Sequence, residues 1–394
     1  MNRIFTTAVA LLALLVCRVG AQTPAEWLDV IRNLRHPNPQ ARLAALGRLN
    51  EAGYVAAADA VAPLIADPDD RVQLAAIDTE LTFFLAERLP GGKKNRALVA
   101  FEAGPLVRSS APAPAAVVDR LITAMRDDNE LVRFDAIHAL GLIAQAPLQP
   151  AETRALAAEL DHYDPTMRAA TARVLGRLGA RDAADQLAVA LVDSSPVVRL
   201  FATEALGLIR DTRSAAELRD QLAKARGDLL GATLLALARI GSHDDIALFR
   251  LRLADRAPIA RRAAAEGLGR AGDADAIPQL SALLKNDRAD DVRLAAAFGL
   301  QRLGQTQSHV IAWMLGDEQT SAQARDYLIE LGSAAVPGIQ AAFKTAKDSR
   351  HRANLVQVLG IVGSRDTVAS IEPLLKDPDD RVRHAATWSI ARLR

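Results

Sequence analysis

The chain has 394 residues, half of them hydrophobic, yet only nine phenylalanines, three tryptophans and three tyrosines. Burial must therefore rest on Ala, Leu, Val and Ile packed at close helix-helix distances, which disfavours a strand-rich fold. Charged residues make up 24%, with 48 basic against 47 acidic, so neither a disordered polyelectrolyte nor the basic excess of a typical nucleic-acid binder fits.

Arg3 precedes an apolar run from Ile4 to Cys17, too short to span a bilayer and the right size for a signal-peptide core. Val19-Gly20-Ala21 offers small or apolar residues where signal peptidase cuts, so residues 1–21 are expected to leave and the mature chain to begin at Gln22, in the periplasm or released. Lipid attachment at Cys17 is the competing reading, but Val16 stands where lipoprotein signals carry Gly, Ala or Ser. Cleavage removes Arg3, Arg18 and no acid, leaving 46 basic against 47 acidic residues. It also removes the only cysteine, and with it any disulfide, thiolate metal site or cysteine nucleophile. No later apolar run is long enough to span a membrane. Thr23-Pro24-Ala25-Glu26 then reads as an N-cap, a first-turn proline and a carboxylate that reaches back to the cap.

Downstream the sequence repeats. Helix-closing glycines fall at Gly179, Gly241, Gly272, Gly304, Gly332 and Gly363, with gaps of 62, 31, 32, 28 and 31, and Arg210 fills the missing slot inside the 62. Gly53 closes the first copy and Arg394 the last. Twelve residues before each closing position a small or apolar residue opens a helix, usually followed by Arg, as in Val132-Arg133, Val198-Arg199, Ala260-Arg261, Val292-Arg293 and Val382-Arg383. Counting from it, positions 5, 8, 9 and 12 are mostly aliphatic, the stripe of an amphipathic helix, and the closing glycine supplies a left-handed stop. Six residues before the Arg an Asp recurs at Asp127, Asp193, Asp255, Asp287 and Asp377.

These residues resemble HEAT repeats, helical hairpins whose turn carries an Asp and whose second helix opens with an Arg, and in particular the bacterial HEAT-like class named after phycobilisome lyases. The resemblance implies an all-α, right-handed α-solenoid over 22–394, of about eleven repeats of roughly 31 residues. It also implies an Asp/Arg ladder between adjacent units, with Asp127/Arg133, Asp193/Arg199, Asp255/Arg261, Asp287/Arg293 and Asp377/Arg383 as its members. The period fails over about 85–115, where Pro90-Gly91-Gly92 and Ala111-Pro112-Ala113-Pro114 bracket room for only a short helix near Ala97 to Phe101. This stretch reads as an inserted binding loop or a decayed repeat.

Catalytic constellations find little support. Gly267-Leu268-Gly269-Arg270-Ala271-Gly272 matches a phosphate-cradling fingerprint but ends a helix instead of opening one. None of the seven histidines is followed by Glu, so the di-iron ligand pattern of the HEAT-like deoxyhypusine hydroxylases is missing. A phycobilin-lyase role rests on fold alone. The expectation is no catalytic residue, no metal and no cofactor. With positions 5, 8, 9 and 12 buried, positions 7 and 11 line the inner face of the superhelix. Position 11 carries Arg177, Arg239, Arg270, Arg302 and Arg392, interrupted by Glu330, while position 7 supplies Phe298 and Trp388. Exposed arginines beside aromatics suit a protein or peptide partner, an acidic one in particular, and disfavour nucleic acid. The bland alternative is that Glu266 pairs with Arg270 four residues on and the rest is solvated.

The expected function is thus a non-catalytic exported scaffold, with a HEAT-like lyase or metal-dependent enzyme and a purely structural envelope spacer as alternatives. Edman sequencing of protein exported by its native host should begin at Gln22. A chain retaining Met1, or one lipidated at Cys17, would overturn the processing reading.

Overall fold

The computed structural model describes residues 25–85, 96–103, 113–144 and 148–394, so the signal segment and Cys17 lie outside the described residues. Among those residues there is no β-strand, and eleven helical hairpins follow one another. Their second helices are Pro39–Ala52, Asp70–Phe84, Glu130–Ile143, Pro165–Arg177, Pro196–Ile209, Gly227–Ile240, Pro258–Ala271, Asp290–Arg302, Ser321–Leu331, Ser349–Val362 and Asp380–Leu393. We number the units 1 to 11 in that order. Second helices of successive units pack on one another, and each first helix packs outside its partner.

Local chemistry sets the boundaries. Pro165, Pro196 and Pro258 stand at the start of their helices, where a missing N–H costs nothing, and the Asp164 carboxylate caps the fourth unit by accepting from the Thr166 N–H at 2.8 Å. Gly53, Gly179, Gly241, Gly272 and Gly304 end theirs at positive φ. Arg210 does the same work at φ 55°, a conformation that costs a side-chain-bearing residue about 1–2 kcal/mol. Gly363 departs from the pattern: at φ −77°, ψ −179° it is extended, and the helix stops without a left-handed residue.

Close stacking needs small residues at the crossings. A methyl group on Gly207 would lie 2.6 Å from Ala236 Cα, and one on Gly269 would lie 2.5 Å from Gly299 Cα. Of the false phosphate fingerprint, Gly267 and Gly269 are therefore contact points inside Pro258–Ala271, against Phe249 and Gly299, and Gly272 is the left-handed cap that ends the helix. In the 85–115 interruption, the described residues include a helix at Arg96–Ala103 that packs against Glu130–Ile143 with Ala97, Ala100 and Phe101 buried.

The Asp/Arg ladder has a different register from the one expected. Arg168 donates from Nε and Nη2 to both carboxylate oxygens of Asp193, 25 residues on, at 2.8 and 2.9 Å. Arg261 holds Asp287 at 2.7 and 2.8 Å, Arg352 reaches Asp377 at 3.0 Å, Arg42 reaches Asp67 at 2.7 Å, and Gln73 substitutes on Asp127 at 2.7 Å. Each rung thus joins the arginine of one unit to the aspartate of the next. The same-unit pairing is a correction: Arg133, Arg199, Arg261 and Arg383 reach the backbone carbonyls of Asp127, Asp193, Asp255 and Asp377, not their carboxylates. Arg293 pairs with Asp290, and Asp255 with Arg252 at 2.8 Å.

Geometry explains the shift. A helical side chain leans toward its own N-terminus, so the arginine folds over its own turn and donates one Nη there. Its remaining N–H edge then faces the unit stacked alongside. Where the next slot holds no acid, as with His162 after Arg133 or Ala225 after Arg199, no rung forms.

The Arg168 hydrogen bond outweighs burial and holds the Asp193 carboxyl below its ordinary range. A lowered folded pKa stabilises the protein above the unfolded value and loses that stabilisation as pH falls. Arg168→Ala should cost about 1–3 kcal/mol in urea unfolding at neutral pH and remove part of the acid-dependent loss. Arg199→Ala should cost about 1 kcal/mol or less, since it gives up only carbonyl contacts. Equal costs would contradict this register.

Candidate binding site on the inner face

The array curls until second helices far apart in sequence line one chamber of about 900 Å³. Unit 4 contributes Arg173 and Arg177, unit 5 Phe201, Glu204 and Arg210, unit 6 Arg239, and unit 7 Arg262, Glu266 and Arg270. Across from them stand Arg325, Asp326, Tyr327 and Glu330 of unit 9 and Trp388 and Arg392 of unit 11.

One wall is a closed ionic network. Arg270 donates from Nε and Nη2 to the two oxygens of Glu330, both at 2.9 Å and 60 residues on, and from Nη1 to Glu266 at 2.8 Å. Arg262 reaches the other Glu266 oxygen at 3.0 Å, and the Tyr327 hydroxyl donates to that same oxygen at 2.5 Å. Gln323 donates to the Tyr327 oxygen at 2.8 Å, and Arg210 closes on Glu330 at 2.8 Å. Burial alone would raise the Glu266 carboxyl, but Arg270 and Arg262 outweigh it and hold it at about 2. Burial and the neighbouring Glu266 charge both push the Tyr327 phenol up, so it remains a donor. Beneath lies Phe298, stacked on Tyr327 at 4.2 Å with the Arg270 guanidinium 4.7 Å from its centroid.

The expected row therefore divides. Arg177, Arg239, Arg270, Trp388 and Arg392 line the chamber together. Arg302 is exposed outside its lining. Phe298 is fully buried, which corrects its expected exposure: position 7 faces the neighbouring units wherever curvature brings them close. Arg270, with 5% of its side chain exposed, belongs to the network rather than to a free stripe. The Glu266–Arg270 pair forms, but as one edge of that larger assembly.

Sequence reasoning missed Arg262, Arg325 and Tyr327, read Arg210 only as a helix-closing residue, and put Arg173 at position 7 of the inner face without naming it as a contact. A faint signal existed for Glu330, the one acid in the position-11 row of arginines. Arg239 makes no hydrogen bond or ion pair among the described residues, although its charge reaches Glu204 and Asp326. No three His, Cys, Asp or Glu side chains among the described residues form a metal-binding cluster.

A HEAT-repeat family model matches residues 153–238, 227–301 and 308–391, more than half of the sequence. The chain belongs to the HEAT-repeat family. Among solved structures, the complex of CpcE and CpcF of phycocyanin lyase from Nostoc sp. PCC7120 is 21% identical with a TM-score of 0.42, covering 63% of this chain and 96% of that one. An engineered protein is 16% identical at a TM-score of 0.42, covering 93% and 98%. A Kap121p mutant is 12% identical at 0.40, covering 95% of this chain and 46% of its own. No curated protein matches in sequence. No helix among the described residues is long and apolar enough to cross a membrane.

Glu266→Gln removes the charge that two arginines share and should cost about 3–5 kcal/mol in urea unfolding. Tyr327→Phe, which gives up one hydroxyl, should cost about 1–2 kcal/mol. Equal and small costs would show that the network does not hold the curvature.

Proposed function

We propose that this HEAT-repeat chain is a non-catalytic, exported scaffold that binds an acidic protein or peptide partner along the inner face of its solenoid. The observation that carries the reading is Arg239, a guanidinium lining the chamber without a hydrogen bond or ion pair among the described residues. Around it, units 4, 9 and 11 contribute Arg173, Arg177, Arg325 and Arg392 to the same walls. The two most deeply placed acids, Glu266 and Glu330, are hydrogen-bonded by Arg262, Arg270 and Arg210, none of them an outer arginine. A curved, rigid array of guanidinium groups binds carboxylates with little ordering cost on its own side. Its chemistry is recognition by charge.

Salt sensitivity and charge reversal test this. A fluorescein-labelled octamer of glutamate should bind the full chain at low ionic strength and weaken as salt rises. Arg239→Glu combined with Arg392→Glu should weaken it at least tenfold, while Arg239→Gln combined with Arg392→Gln, which sets no new carboxylate beside Glu204 and Asp326, should weaken it less with the melting profile unchanged. Affinity unaltered by the double reversal would refute the inner face as the binding surface.

A further inference from the structure

The helix Arg96–Ala103 does not cover the outside of the solenoid; it sits at the unit 3 and unit 4 end of the same chamber, where Phe101 and Glu102 join the lining. Both guanidinium groups of unit 4 lie against the Phe101 ring, Arg173 at 5.2 Å and Arg177 at 4.4 Å from its centroid. Arg173 also lies 4.7 Å from the Phe201 ring. The next residue in the helix, Glu102, places its carboxylate 3.9 Å from Arg173. Arg177 donates to the Phe101 carbonyl, one of the carbonyls that the end of a helix leaves without a partner. Three kinds of contact therefore converge on two consecutive residues: guanidinium on aromatic face, guanidinium on carboxylate, and guanidinium on the negative end of a helix.

This is the pattern by which an arginine-lined groove would hold a partner, made here by the protein's own chain. It also uses the part of the sequence that breaks the repeat. Phe101 is anchored, with 4% exposure, whereas the Glu102 side chain is 59% exposed and reaches its arginine from the edge of the seat.

We infer that the Arg96–Ala103 helix is a built-in occupant of the inner groove, and that the partner is a segment carrying an aromatic residue followed by a carboxylate, which displaces this helix to bind Arg173 and Arg177. The inference rests on the inner face being the binding surface. The seat is self-blocked until a competing aromatic-acidic segment takes it.

The probe is the chain's own octapeptide, Arg-Ala-Leu-Val-Ala-Phe-Glu-Ala, acetylated, amidated and fluorescently labelled. Two full-length variants empty the seat in different ways. Phe101→Ala removes the anchor, and Glu102→Arg sets a like charge beside Arg173 without touching a buried atom. Relative to wild type, each should bind the probe at least tenfold more tightly, and alanine in place of the probe's phenylalanine should abolish the gain. Should Phe101→Ala perturb units 3 and 4, Glu102→Arg with an unchanged melting profile still decides. In wild type, saturating probe should accelerate amide hydrogen exchange within residues 96–103. Binding that leaves those amides equally protected, or equal affinity for all three proteins, overturns the inference. If octaglutamate binds and displaces the helix as well as the probe does, the acidic groove stands and the aromatic-acidic specificity falls. If neither peptide binds any form at low salt, both readings fall.

Discussion

The curvature of this solenoid is tied to one buried and one half-buried carboxylate. Glu266 and Glu330 belong to units 7 and 9, and they are held by arginines from units 5 and 7 and by the Tyr327 hydroxyl. A simple stack of hairpins satisfies its apolar stripes with nearest neighbours only. Contacts that skip a unit, and one spanning from residue 210 to residue 330, require the inner faces to meet across the axis. Burying such charges is costly unless every lone pair is satisfied, and here each carboxylate oxygen has a donor. The network therefore favours one curvature over others. That curvature turns a row of side chains into a chamber.

The same constraint separates arginines committed to the network from arginines that stand outside it. Arg262 and Arg270 are committed to Glu266, and Arg210, in a left-handed conformation at its helix end, is placed to meet Glu330. The conformational cost at Arg210 falls where glycine would have been cheaper, and the ion pair is what the arginine adds. Arg239 and Arg392 stand farther out, the latter with its guanidinium 5.8 Å from the Trp388 ring. At one end of the chamber lies unit 4, whose two arginines are engaged by the Arg96–Ala103 helix. The ionic network, the outer wall and the contacts with the Arg96–Ala103 helix thus use different guanidinium groups of one continuous surface.

A second, independent set of charges ties neighbours together along the turns. Arg168 to Asp193 and Arg261 to Asp287 are bidentate rungs, and each aspartate also accepts from the backbone of its own turn. First helices add outer pairs: Arg219 holds Asp245 at 2.7 Å where the turn rung is missing, and Arg250 holds Asp273 at 2.5 Å beside the Arg261–Asp287 rung. The unit opening at Gly227, which lacks the turn rung, is joined to the next by the Arg219 pair instead.

Much of this was legible in the order of residues. Helix boundaries follow from prolines, capping aspartates and closing glycines spaced by one hairpin, and burial at positions 5, 8, 9 and 12 follows from helical periodicity. These are local properties, set within about a dozen residues, so the sequence alone determined the class of fold, the number of units and the small-residue crossings. The rung register was not local: it depends on which edge of Arg168 faces the next unit after its other edge has covered its own turn. Nor could periodicity reveal that Phe298 is buried, that Glu330 meets Arg210 and Arg270, or that Phe101 enters the inner groove. A repeat specifies the contact between neighbours, but small rotations accumulate along the array, and only the summed rotation decides which distant residues face each other across its axis.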